Sequence, residues 1–486
     1  MRIPIVLASV LSLAAPLLVQ PTAAQDVNPY GRIDPIDASI SVLRQALGPD
    51  GSPGVIVALD EADAPGIERL LEVLLSHPSP AMRTTAAVRA AAHGADPRRL
   101  RDRLPDEDAR AAFVVGLLGD DLLAPDTATL LLDGTTSDAS PVAVAILAGR
   151  STDASATARL VAIAADDEAA PLARGIAAGV LERSSPGSIS TWIATLSDLR
   201  EDDRDRTLFE ALTALEPLGA VEGIQSILKA VETRPADDAL RASVVFALLQ
   251  LDPEAGLKAW SALSKGSASD RAIPNAMLLV SAGIACPSSA AASLPAEDDL
   301  QKAVRAMITA APADRPARSI DAVRLGHLPT IRWLLELQAD QVPPAVLDAM
   351  IESGITNRRA AMVDVLLQAS SRLGVSEPSR LGARLADAAK DESAREILLR
   401  GLVAAGSGDA AGIAGAYTSA PDRRTRNLAL LALSRGAEID APSIRRLGRA
   451  AAGGGDLPDD LRPLAAWQHL VLEGRLEDAL PTLLTP

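Results

Sequence analysis

Apolar residues recur at i, i+3, i+4 and i+7 along most of the chain, as in IERLLEVLLS from Ile67, LARGIAAGVLER from Leu172 and AMVDVLLQASSRL from Ala361. That spacing lays a row of aliphatics along one face of an α-helix. The alternation expected of half-buried strands is almost absent. Each apolar segment is short and is followed by a break such as HPSPAM, SSPGSIS, EPLGAVEG, LDPEAG, LQADQVPPAV or EIDAPSI. Pro stands near the start of many segments and Gly near the end of many others, which is the usual punctuation of helices. The pattern predicts about 25 short helices between Ile36 and Leu484, mostly joined by tight turns.

Four of these segments share more than periodicity. DEDARAAFVVGLLGD from Asp106, DDALRASVVFALLQLD from Asp237, DESAREILLRGLVAAG from Asp391 and DRRTRNLALLALSRG from Asp422 all fit D-x-x-x-R-x-x-x-x-x-[AG]-L. The Asp is expected at the helix start, where it accepts from free backbone N–H groups and complements the dipole. The Arg four residues on (Arg110, Arg241, Arg395 and Arg426) is expected on the same face as its Asp, as a favourable i,i+4 pair. The small residue six after the Arg predicts close helix contact, and the Leu after it a core position. Weaker versions begin at Arg83, Arg174 and Arg206, and the spacing between copies lies in the low to mid thirties. That is the length of a two-helix repeat.

The D-x-x-x-R-x-x-A pattern in the second helix of each pair resembles HEAT-type repeats, especially the short bacterial kind. The likeness is patchy over 60–380 and best over 391–435, and 251–345 fits poorly. It implies an all-α fold, an armadillo-like α-solenoid in which stacked helical hairpins form a right-handed superhelix. DAVRLGHLPTIRWLLELQAD from Asp321 resembles the helical part of one ankyrin unit, but lacks the T-P-L-H turn and reads as a convergent helical pair.

The first residues differ in kind. Arg2 precedes an apolar run from Ile3 to Val19, broken by Pro4 and Pro16, and Thr22 and Ala24 are small. This reads as a secretory signal over 1–24, cleaved before Gln25, and not as a membrane span. Pro-, Ser- and Ala-rich stretches at 287–296 and 311–317 flank one predicted helix. They suggest an N-terminal arm over 31–286, a joint over 287–316 and a C-terminal arm over 317–486.

Composition narrows the function. Nine aromatics in 486 residues leave little for stacking on sugars or bases. A formal charge of −16 disfavours nucleic acid. That charge sits mostly in residues 1–250, and the C-terminal half carries a locally basic stretch at Arg423, Arg424, Arg426, Arg435, Arg445, Arg446 and Arg449. Of these, Arg423, Arg424, Arg445 and Arg446 are the expected partner-binding residues. Cys286 is the single cysteine, so no internal disulfide forms. His77, His93, His327 and His469 fall in no zinc-binding spacing and are expected at surfaces or helix ends. No nucleophile elbow, calcium loop or phosphate loop is present, so no catalytic residue, metal or cofactor is expected.

Two classes of function follow. The first is an exported, non-enzymatic repeat scaffold that binds a protein partner in the cell envelope, since stacked repeats expose extended surfaces. The second is an exported α/α-toroid enzyme acting on polysaccharide. Such an enzyme needs aromatics and converging carboxylates or a Tyr/His pair, for which Tyr30 and Tyr417 are few.

Overall fold

A computed structural model describes residues 34–48, 51–135, 139–232, 238–266, 271–338, 341–357, 382–384, 391–453 and 455–483. Asp237 and the segment from Ala361 lie outside them. Every regular element among the described residues is helical, and helices pack on their near neighbours in sequence. The chain is an all-α solenoid of stacked helices, as its periodicity requires.

The helix starts obey the predicted punctuation. Asp34, Asp96, Asp106, Asp153, Asp298, Asp391, Asp422 and Asp440 each cap a helix through a side-chain oxygen that accepts from the first turn. Pro occupies the first helical position at Pro35, Pro53, Pro80, Pro97, Pro125, Pro141 and Pro171, where its missing N–H costs nothing.

Two compact units are present. One comprises residues 74–271; the other comprises 23–73 together with 272–486. This partition differs from the expected arms. Its division falls at Arg271 rather than within 287–316, and the first helices group with the last ones. The expected joint holds two helices, Ser288–Ser293 and Asp299–Thr309, followed by the short Arg315–Arg318 turn. Arg315 is 1 % exposed and donates to the carbonyls of Ile284 (2.6 Å) and Ile308 (3.3 Å), which fixes this stretch into its unit.

In the 74–271 unit, Pro80–Ala92 packs on Glu107–Gly119, and Pro171–Leu181 packs on Ala154–Ala165, Glu201–Leu215 and Val221–Glu232. The core is aliphatic: Leu117, Leu212, Ile224, Ile227, Val244 and Leu248 are all but inaccessible. Each such side chain contributes roughly 1.5–3 kcal/mol by leaving water. Small residues set the helix spacing. A Cβ at Gly116 would stand 2.5 Å from Cγ2 of Val88, and one at Gly223 would stand 2.5 Å from the carbonyl oxygen of Gly179. Gly116 is the small residue predicted six positions after Arg110. The Leu predicted next is buried at Leu117, Leu248 and Leu402, but Leu433 is only half-buried.

In the other unit the first described helix, Pro35–Leu47, packs on the last three described α-helices, Ala441–Ala452, Arg462–Leu472 and Leu476–Leu483. The Trp467 indole donates to the carbonyl of Pro65 at 2.8 Å, and Arg44 Nε donates to the carbonyl of Thr482 at 2.7 Å. Neither end of the sequence predicts this meeting.

The repeat motif works differently from its expected i,i+4 pair. Asp106 accepts from the amide of Ala109 at 2.8 Å with one oxygen, and Arg83 of the preceding repeat reaches its other oxygen at 3.2 Å. Asp422 likewise accepts from Thr425 N at 2.7 Å and faces Arg395 of the preceding repeat at 3.8 Å. Arg110 turns instead to Glu107 (3.0 Å) and to the carbonyl of Leu104, and Arg426 to the carbonyls of Ala420 and Pro421. Arg83 makes the same backward reach, to His77 and Pro78. Arg241 donates to the carbonyl of Val231. The cause is the capping position: Asp106 (φ −133°, ψ 161°) and Asp422 (φ −79°, ψ 143°) stand outside the helix. A capping carboxylate bends over the helix mouth and does not lie along the i,i+4 stripe. Asp106 and Asp422 thus each join two repeats, and Arg83, Arg110 and Arg426 tie down the turns before their own helices.

Candidate functional site

The arginine-rich stretch folds into two neighbouring helices, Arg423–Gly436 and Ala441–Ala452. The structure divides the expected binding residues among three roles. Arg424 is bidentate on Glu396, both contacts at 2.8 Å, so its charge is largely spent within the fold. Arg423 is exposed and pairs with the buried Asp456 at 2.8 Å. Arg446 donates through Nε to Oδ1 of Asn427 at 3.3 Å, and Asn427 in turn donates to the carbonyl of Asp456. Arg445 is exposed and makes no ion pair within 4 Å among the described residues. Arg449, one helical turn on, is exposed beside it.

The electrostatics show crowding of like charge. Burial, and then the guanidinia of Arg426 and Arg423, pull the affinity of Arg446 for its proton down. Burial pushes the Asp456 carboxyl up, while Arg423 and Arg462 oppose that rise. Asp456 is thus shared by Arg423 and Arg462, Arg462 also pairs with Asp459 at 3.5 Å, and Arg445 lies near Asp440, while Arg445 and Arg449 stand on the exposed surface. Arg435 plays no part in that surface. It is half-buried and donates to the carbonyls of Val403 and Ala62.

Other titratable groups lie apart from this cluster. Glu182 and Glu216 each follow the end of a helix, one repeat apart. Burial alone would raise the Glu182 carboxyl, but the amides of Ile189 and Gly187 and the hydroxyls of Ser188 and Ser226 donate to it and hold it below the ordinary range. At Glu216 the turn is the shorter Pro217-Leu218-Gly219, and burial pushes the carboxyl up to about 7. His77 is 1 % exposed and accepts from the amide of Ser79. His469 lies in the last turn of its helix, as expected, but it is wholly buried rather than at the surface. Ser39 of Pro35–Leu47 and Gly448 of Ala441–Ala452 cover it, which no local pattern near His469 reveals. Among the described residues, no group of three or more His, Cys, Asp or Glu is placed to hold a metal ion, and no helix is long and apolar enough to cross a membrane.

Comparison with family models and with curated proteins finds no match. Among solved structures, an engineered protein determined by a structural-genomics consortium aligns at 16 % identity, covering 84 % of this chain and 96 % of its own, with a TM-score of 0.19. A score that low carries no argument. The helical-repeat assignment therefore stands on the stacked helices and the recurring Asp and Arg contacts.

Proposed function

We propose that this protein is an exported, non-enzymatic HEAT-like scaffold, and that a protein partner with an acidic surface docks on the face carrying Arg423, Arg445, Arg446 and Arg449. The observation that supports it is the clustering of guanidinium charge at this face: Arg426 and Arg423 both disfavour the charge on Arg446, and Arg423, Arg445 and Arg449 are exposed. Exposed like charges held together by a rigid scaffold cost stability unless they serve recognition, and they steer an oppositely charged partner. The HEAT-like reading draws further support from the Asp caps that bridge to the arginine of the preceding repeat.

Crosslinking in the native envelope followed by mass spectrometry identifies the partner. Arg423→Glu, Arg445→Glu and Arg449→Glu together are then expected to weaken capture of that partner and to flatten its dependence on salt. Capture that maps entirely to residues 60–250 overturns the docking face, and recovery of Met1 from a cytosolic fraction overturns export. A second reading, an α/α-toroid-type enzyme acting on polysaccharide, draws on the packing of the first helix against the last three. Turnover of an envelope polysaccharide by the purified protein decides for it.

A further inference from the structure

A buried imidazole joins the Pro35–Leu47 helix to the last described helices of the chain. His469, on Arg462–Leu472, is 0 % exposed, and its Nδ1 lies 2.9 Å from the hydroxyl of Ser39, on Pro35–Leu47. Ser39 is itself fully buried. The ring's Nδ1–Cε1–Nε2 edge lies against Gly448, on Ala441–Ala452: a Cβ there would stand 2.5–2.7 Å from these three atoms. Three helices thus converge on one imidazole. Its Nε2 is buried with no hydrogen-bond partner, and the nearest carboxylate, Glu473, stands 4.0 Å away. We propose that His469 is a pH-sensitive latch: neutral, it lets the Pro35–Leu47 helix dock, and protonated, it releases that helix and uncovers the apolar surface beneath.

Burial sets the direction, and the charged groups around the ring oppose it. Glu473 and Asp34 both favour the imidazolium. On the docked helix, Arg44 points to the carbonyl of Thr482 and Asp37 is exposed. On Ala441–Ala452, Arg445 and Arg449 face solvent, and Arg446 turns to Asn427. On the imidazole's own element, Arg462 turns to the carbonyls of Ala451 and Ala452. Beyond it, Arg475 pairs with Asp478. Burial outweighs the two carboxylates and lowers the ring's proton affinity below the ordinary histidine range. A group whose affinity is depressed in the docked state supports docking above its free value, and that support is lost as pH falls below about 6.5. Release would expose Leu43 and Leu47 on the helix, both buried when docked.

Hydrogen exchange of the full chain, followed by mass spectrometry from pH 7.5 to pH 5 and corrected for intrinsic rates, tests the latch at the amides of 35–47. In the wild type their protection is expected to fall by about tenfold or more across that range, while Glu392–Ala405 in the same unit keeps its protection. His469→Gln is expected to bring the ratio close to one. Glu473→Gln, a change at a partly exposed position, removes an acid that favours the charged ring and is expected to enlarge the loss. The latch is overturned by an unchanged wild-type ratio, by a parallel fall in His469→Gln, or by equal loss at Glu392–Ala405. Should His469→Gln fail to fold, Glu473→Gln still decides: no change, or a smaller loss, overturns the proposal.

Discussion

Arg83 and Asp106 belong to successive repeats, and the guanidinium of one lies 3.2 Å from the carboxylate of the other. Asp106 also caps its own helix through Ala109. Its side chain is 48 % exposed, so solvent screens the ion pair and the cap supplies most of the stabilisation. Asp106→Ala is expected to cost about 1–2 kcal/mol and Asp106→Asn, which keeps an acceptor, less than half of that. Chemical denaturation measures both. Equal losses would show that the bridge and not the cap dominates.

Glycines that look alike in sequence are expected to respond with opposite signs. Gly448 touches the His469 ring, so Gly448→Ala forces either the ring or the helix to move and should cost about 1–3 kcal/mol. Gly412, inside Gly408–Gly415, has open space around it, so Gly412→Ala should stabilise by up to about 1 kcal/mol. Thermal melts of the two variants compare them directly.

Glu216 makes stability depend on pH in a defined direction. Its carboxyl is raised to about 7 by burial, so the folded state holds a proton that the unfolded chain gives up at ordinary carboxylate values. The protonated form's stabilisation is complete at low pH and is lost as pH rises through about 7. Glu216→Gln removes that loss. Its melting temperature should match the wild type near pH 4.5 and exceed it increasingly up to pH 8, by a difference of at most about 3 kcal/mol. A constant difference across that range would refute the assignment.

Glu182 stands one repeat earlier and should behave oppositely. Four donors converge on its carboxylate, so Glu182→Ala leaves buried N–H and O–H groups without an acceptor and should cost about 2–4 kcal/mol near neutral pH. Because its carboxyl is held low, the wild-type advantage is full above ordinary carboxylate values and shrinks as pH falls through the depressed value. A denaturation series from pH 7 down to pH 3 checks this.

The sequence by itself determined the helices, their short length and their stacking. Those properties come from periodicity, Pro and Asp at helix starts and small residues at contacts, all of which act within one or two turns or between neighbouring repeats. Asp106, Asp391 and Asp422 were legible as helix starts for that reason. The arginines were legible as recurring but not in their contacts, because a guanidinium reaches six residues back and into the next repeat, outside any i,i+4 rule. The arginine face was visible as composition. Which of its members remain available was decided by Glu396 and Asp456, carboxylates supplied from other helices. The meeting of Ser39 with His469, and of Pro65 with Trp467, left no trace in either segment. Such contacts join residues about 400 positions apart, and only the packing of residues 34–73 on the last described helices brings them together. That packing turns a histidine expected at a surface or helix end into a fully buried one.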